Sequence, residues 1–123
     1  MPNKENESGR GLLIAVPVEN GQLCTHFGHC GHFLFFTVDR ESKQVIDRRL
    51  VEPPPHEPGV LPRWLSDQGT DVVLAGGLGG RAAGLLNQFG IEAVVGISSG
   101  SPDSIVMAYL EQTLPVGQNL CDH

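Results

Sequence analysis

The stretch DVVLAGGLGGRAAGLLNQFGIEAVVGI, residues 71 to 97, reads as strand, helix and strand in succession. Asp71 to Ala75 is a short, β-branched apolar run of the kind buried on both faces, and Ile91 to Ile97 is a second. Between them Gly76-Gly-Leu-Gly-Gly80 makes a turn, and Arg81 to Phe89 predicts a helix that Gly90 closes. Strands joined through a helix in this way lie parallel, with a right-handed crossover. The same alternation extends in both directions. Gly59 to Gln68 predicts a helix with Val60, Leu61, Trp64 and Leu65 on one face and Gly69 as its stop. Ser101-Pro102-Asp103 predicts the start of another, with Ser101 as N-cap, running to about Thr113.

The amino-terminal half carries a different pattern. Leu12 to Val18 is a continuous apolar run that fits a strand covered on both faces, with Pro17 near its end or at a locally unpaired position. Glu19-Asn-Gly-Gln22 signals a turn, and residues 23 to 31 read as a loop. His32 to Asp39, dense in Phe, predicts a second strand; Gln44 to Val51 predicts a third, whose polar middle suits a sheet edge. Short links make these an antiparallel meander. Glu52-Pro-Pro-Pro-His-Glu-Pro58 is a stiff crossover. The order β-β-β-α-β-α-β-α predicts an α/β domain on a mixed sheet of about five strands. Residues 1–10 are expected as a disordered tail, 11–114 as one domain, and 115–123 as a tail ending in Cys121-Asp-His123.

Composition removes several function classes. A chain of 123 residues suits one core. A net charge of −6 without a basic cluster lacks the phosphate-neutralising surface of a nucleic-acid partner. The longest apolar stretches fall far short of the roughly 20 residues a membrane helix needs. No signal-peptide pattern opens the chain, so a cytoplasmic protein without membrane contact is expected. Three cysteines, an odd number in a chain read as cytoplasmic, argue against a disulfide framework. Cys24, Cys30 and Cys121 are therefore expected as free thiols or metal ligands.

The densest chemistry lies in Cys24-Thr-His-Phe-Gly-His-Cys-Gly-His32, with three of the five His and two of the three Cys. Imidazole and thiolate bind zinc, iron, copper and iron–sulfur clusters. Cys24 and His26, two apart, share a side in extended backbone, and Cys121 and His123 repeat that spacing. Together the four could close a tetrahedral site. His29, Cys30 and His32 are secondary candidates, because alternate residues there can point into the core. His56, flanked by Pro55 and Glu57, reads as an exposed loop residue.

The amides of Gly76, Gly77, Gly79 and Gly80, beside Arg81, sit where a helix begins and could hold an anion. A dinucleotide site does not fit: the unit is not the first β-α-β of the chain, and the next strand ends at Gly96 and Ile97 without an acidic residue for a ribose. No nucleophile, base and orienting group can be assembled, which points to binding rather than catalysis.

Ile14-Ala-Val-Pro17, His26-Phe-Gly28, Ala75-Gly-Gly-Leu-Gly-Gly-Arg-Ala82 and Leu85-Leu-Asn-Gln-Phe-Gly-Ile91 resemble the dinitrogenase iron–molybdenum cofactor biosynthesis family, with its NifX-like proteins and NifB-like C-terminal domains. The resemblance covers about residues 12–114. It implies a ribonuclease H-like, three-layer α/β fold on a five-stranded mixed sheet. It further implies a non-catalytic carrier or chaperone of an iron–sulfur or iron–molybdenum-type cluster or its precursor, exchanging cargo with donor and acceptor proteins. In that reading His26 is the motif histidine, and the turn from Gly76 to Arg81 cradles the cluster. Two alternatives stand beside it: a mononuclear zinc or iron protein using Cys24, His26, Cys121 and His123, and a regulatory or interaction domain whose histidines are structural.

Overall fold

A computed structural model describes residues 11–24, 30–55, 57, 59–98, 100–114 and 116. Its elements in chain order are β1 (Gly11–Glu19), β2 (Gln22–Leu23), β3 (His32–Asp39), β4 (Gln44–Val51), α1 (Val60–Asp67), β5 (Val72–Leu74), α2 (Gly80–Gln88), β6 (Glu92–Val94) and α3 (Pro102–Leu110). The sheet runs β4-β3-β1-β5-β6, with β2 paired to β1. β1 is antiparallel to β3 and parallel to β5, and β5 is parallel to β6. The expected α/β class and mixed sheet are therefore present. The expected tails 1–10 and 117–123, with Pro115, lie outside the described residues.

Strand alternation divides the core between the two faces of the sheet. Ile14, Val16, Val18, Phe36, Val38, Val72 and Leu74 turn one way, against Ile105, Val106 and Leu110 of α3. Ala15, Phe33, Phe35 and Val73 turn the other way, against Leu61 and Leu65 of α1 and Leu86 of α2. On that side Trp64 meets Phe33 and Phe35 edge-on, each at 5.6 Å between ring centroids. Tyr109 donates from its hydroxyl to Glu92 Oε1 at 3.2 Å and ties α3 to β6. Burial, and then the Glu92 charge, push its pKa up.

Several boundaries differ from the sequence reading. Part of the loop expected over 23–31 is strand: β1 and β2 form a hairpin around Asn20 and Gly21, whose φ values of 56° and 79° suit a two-residue primed turn. Pro17 does lie near the end of β1, within the ladder and opposite Phe33. Its carbonyl accepts from the Cys24 amide at 2.9 Å, so its peptide faces away from β3 and the missing N–H removes no β1–β3 rung. β5 and β6 are three residues each, shorter than expected. β4 does occupy the edge. Its register skips Ile46 between the Val38–Val45 and Thr37–Asp47 pairs, and this bulge with Asp47, Arg48 and Arg49 blunts the edge against further pairing.

The three helices among the described residues end in the same hydrogen-bond pattern. Gly69 and Thr70 donate back to Ser66 and Leu65, Gly90 and Ile91 to Asn87 and Leu86, and Gln112 and Thr113 to Tyr109 and Ala108. The left-handed position is Gly at φ 86° and 78° in the first two and Gln112 at φ 61° in the third. Without a glycine to mark it, the end of α3 falls at Leu110 instead of near Thr113.

Two substitutions test this account in urea melts. Gln112→Gly relieves a left-handed side-chain-bearing residue and should raise stability by about 0.5–1 kcal/mol with an unchanged m-value. Thr70 is 7% exposed, and its buried hydroxyl has no hydrogen-bond partner among the described residues. Thr70→Val should therefore stabilise by about 1 kcal/mol, and a destabilised variant would show that the hydroxyl is satisfied.

Candidate functional site

The parallel pairings point the C-terminal ends of β1, β5 and β6 the same way, while β3 begins and β4 ends at that same edge, with His32 opposite Val18 and Val51 opposite Phe33. Four connections therefore begin or end there: those from β1 to β3, from β4 to α1, from β5 to α2 through the glycine turn, and from β6 to α3. This is where open α/β sheets hold ligands. Leu23 donates to the Gly100 carbonyl at 3.2 Å, and Gly96 donates to that of Gly76 at 3.0 Å, which binds three of the connections together.

The structure overturns the expectation of free thiols for two of the three cysteines. Cys24 and Cys30 are joined in a disulfide, with Cα atoms 5.9 Å apart. As a disulfide, neither sulfur is a thiolate donor. The oddness of the cysteine count concealed this, because one pair and one remaining cysteine satisfy it equally well. Backbone pairing brings the two together: the Cys24 amide is held by the Pro17 carbonyl, and Cys30 lies two residues before His32, which pairs with Val18. Glu19 Oε1 stands 3.8 Å from the Cys24 sulfur. Cys30 is 2% exposed.

In the glycine turn Gly76 and Gly77 are buried, and Leu78, fully buried, anchors the turn in the core under α1 and α2. Gly79, Gly80 and Arg81 are exposed. Gly79 is the N-cap of α2 and supplies no side-chain cap; the first helical bond is from the Ala83 amide to its carbonyl. The Gly80, Arg81 and Ala82 amides thus precede the helical ladder and have no partner within it. Gly79 has an ordinary extended conformation (φ −64°, ψ 154°), and a Cβ at Gly79 or Gly80 would meet none of the described residues within 4 Å. Neither backbone strain nor crowding demands glycine here. The absence of a side chain leaves the backbone at Gly79 and Gly80 exposed at the start of α2.

On the α3 side of the same edge lies a groove of about 710 Å³. Val18, Leu34, Leu50 and Pro102 give it apolar walls, and Glu19, His32, Arg48 and Asp103 add polar groups. Arg48 Nη1 pairs with Asp103 Oδ2 at 3.0 Å, and its guanidinium stands 6.0 Å from the centre of the Phe36 ring. Of the expected site residues among those described, His32 lines this groove and Gly76 to Arg81 do not. The Arg48–Asp103 pair was not foreseen, and residues 55 positions apart carry no local signal. His26, His29, His56, Cys121 and His123 lie outside the described residues. Among the described residues, no three His, Cys, Asp or Glu side chains gather as a metal site, and no helix is long and apolar enough to cross a membrane.

Comparison with known proteins places this geometry in context. A family profile described as dinitrogenase iron-molybdenum cofactor matches residues 10–112. The uncharacterised protein MJ0580 of Methanocaldococcus jannaschii is 26% identical over 108 residues, 84% of this chain and 89% of that protein. The crystal structure of PH0822 superposes with a TM-score of 0.78 at 30% identity, covering 85% of this chain and 94% of that one. The apo form of the orange protein from Desulfovibrio gigas, at 22% identity and a TM-score of 0.66 over 87% of this chain and 93% of that one, shares the fold. With the profile running from the start of β1 past the end of α3, and so through every strand and helix of the sheet described above, the chain belongs to the dinitrogenase iron-molybdenum cofactor family.

Proposed function

We propose that this protein binds and carries an iron–sulfur-based metal cluster or its precursor, with or without molybdenum, as cargo at the C-terminal edge of the sheet. The observation that carries the reading is the open, uncapped start of α2 at Gly79 and Gly80, on the same edge as the loop bounded by Cys24 and Cys30. Sulfide-rich clusters carry net negative charge, and helix-start amides without a side-chain cap, with a nearby guanidinium, would offset it. Arg81 is exposed and has no ion pair among the described residues, so its charge is available. His26, the family's motif histidine, supplies a coordinating nitrogen. A site that supplies only part of the coordination shell lets the cargo leave, which a carrier requires and a resident cofactor site avoids.

The same reading makes the protein a NifX-like binding module rather than a catalyst, acting in the cytoplasm between a cluster donor and an acceptor. The order β4-β3-β1-β5-β6 supports a ribonuclease H-like assignment of the fold. The mononuclear alternative is less well supported, because the disulfide removes Cys24 from its four proposed ligands in this form.

The test separates a cradle from a packing glycine. Gly79→Asp places a capping carboxylate over the free amides of α2, at a position where its Cβ meets nothing. Its thermal stability should hold or rise by a few tenths of a kcal/mol. Its retention of an isolated iron–sulfur precursor, read as iron and acid-labile sulfide after anaerobic gel filtration, should fall at least about tenfold, a loss of roughly 1.4 kcal/mol. His26→Ala should lower retention as well. Full retention by both variants would sink the proposal.

A further inference from the structure

We infer that Cys24 and Cys30 form a reversible thiol–disulfide switch that gives the cargo site two thiolate ligands when reduced and withdraws both when oxidised. The inference rests on the carrier reading and adds to it a regulation of the same site. Three observations lead to it. First, the disulfide joins the two residues that bound the loop carrying His26. Second, backbone contacts to β1 hold both ends of that loop independently of the sulfur bond: Cys24 through the Pro17 carbonyl, and the segment after Cys30 through the pairing of His32 with Val18. The two side chains therefore remain neighbours when the bond opens, close enough to chelate one metal ion. Third, Glu19 Oε1, 3.8 Å from the Cys24 sulfur, puts an oxygen donor beside the pair. Disulfides in proteins of reducing compartments are characteristically transient, catalytic or redox-sensing rather than structural.

The chemistry balances with a dithiol as reductant. The dithiol attacks the Cys24 sulfur, the more accessible of the two, and the bond to Cys30 breaks. Two electrons and two protons pass to the cysteines, and the dithiol leaves as its own disulfide. On metal binding the two thiol protons are released to water. Cysteine thiolates select zinc, copper(I) and iron–sulfur species, the class of cargo already proposed.

The experiment uses the full chain with Zn²⁺ as probe, in competition with a chromophoric chelator. One sample is oxidised and the other reduced with a phosphine. The reduced protein should bind Zn²⁺ at least about tenfold more tightly, and its far-UV circular dichroism should match that of the oxidised form. The double variant Cys24→Ser/Cys30→Ser should bind Zn²⁺ equally after either treatment. Equal affinities of the two wild-type forms, a redox response that survives in the double variant, or unfolding on reduction would each overturn the switch. The carrier reading is judged separately, by iron and sulfide retention in the reduced protein. Redox-dependent zinc binding without cluster retention would leave the thiol pair standing and remove the carrier role.

Discussion

The parallel pairing of β1 with β5 governs the rest of the structure. Only two register pairs define it, Ile14 with Val72 and Ala15 with Val73. They are reinforced from one end by Asp71: its amide donates to the Leu13 carbonyl at 2.8 Å, and its Oδ2 accepts from the Leu13 amide at 2.8 Å. A carboxylate thus supplies a rung just before the strand begins. A slip of one residue would exchange Val72 and Leu74 with Val73 between the two core faces, so apolar burial holds the register from both sides. Because β5 is parallel and β3 antiparallel to the same strand, the glycine turn and both ends of the cysteine loop emerge at one edge.

The layers follow from this arrangement, and they are unequal. Among the described residues, α1 and α2 pack on one face of the sheet and α3 on the other. Among the described residues the groove beside α3 lies along β3 and β4, and the Arg48–Asp103 pair joins the edge strand to the start of α3 there. Both partners are about half exposed, at 55% and 52%, so water screens the pair and it contributes little to stability. Its effect is to place a cation and an anion at a ligand-accessible edge. In a protein of net charge −6, Arg81 brings positive charge to the uncapped start of α2, while the charge of Arg48 is offset by Asp103.

The limits of the sequence were physical. Gly69 and Gly90 marked the ends of α1 and α2 because left-handed backbone favours glycine, whereas Gln112 adopts the same conformation at the end of α3 and left no mark. Ser101 and Pro102 were legible as a helix start, and the structure has Ser101 accepting from the Ser104 amide at 3.3 Å. The hairpin of β1 and β2 was legible only as its turn, since two residues of strand have no periodicity to detect. Of the site, the residue types in the cysteine loop and the glycine turn could be read directly. The Cys24–Cys30 bond could not, because pairing depends on where strands deliver the two Cα atoms.

By itself, then, the amino-acid order determined the succession of elements apart from β2, which strands are buried, the edge character of β4, and two of the three helix stops. Each of these depends on near neighbours in the chain: side-chain alternation, apolar runs, and glycine or proline at a particular backbone position. Tertiary structure alone decided that Cys24 meets Cys30, that Arg48 reaches Asp103, and that Gly79 and Gly80 lie under open space rather than under packed side chains. Those outcomes depend on which segments the sheet brings together across many residues, and on what is absent around a backbone, which no local pattern encodes.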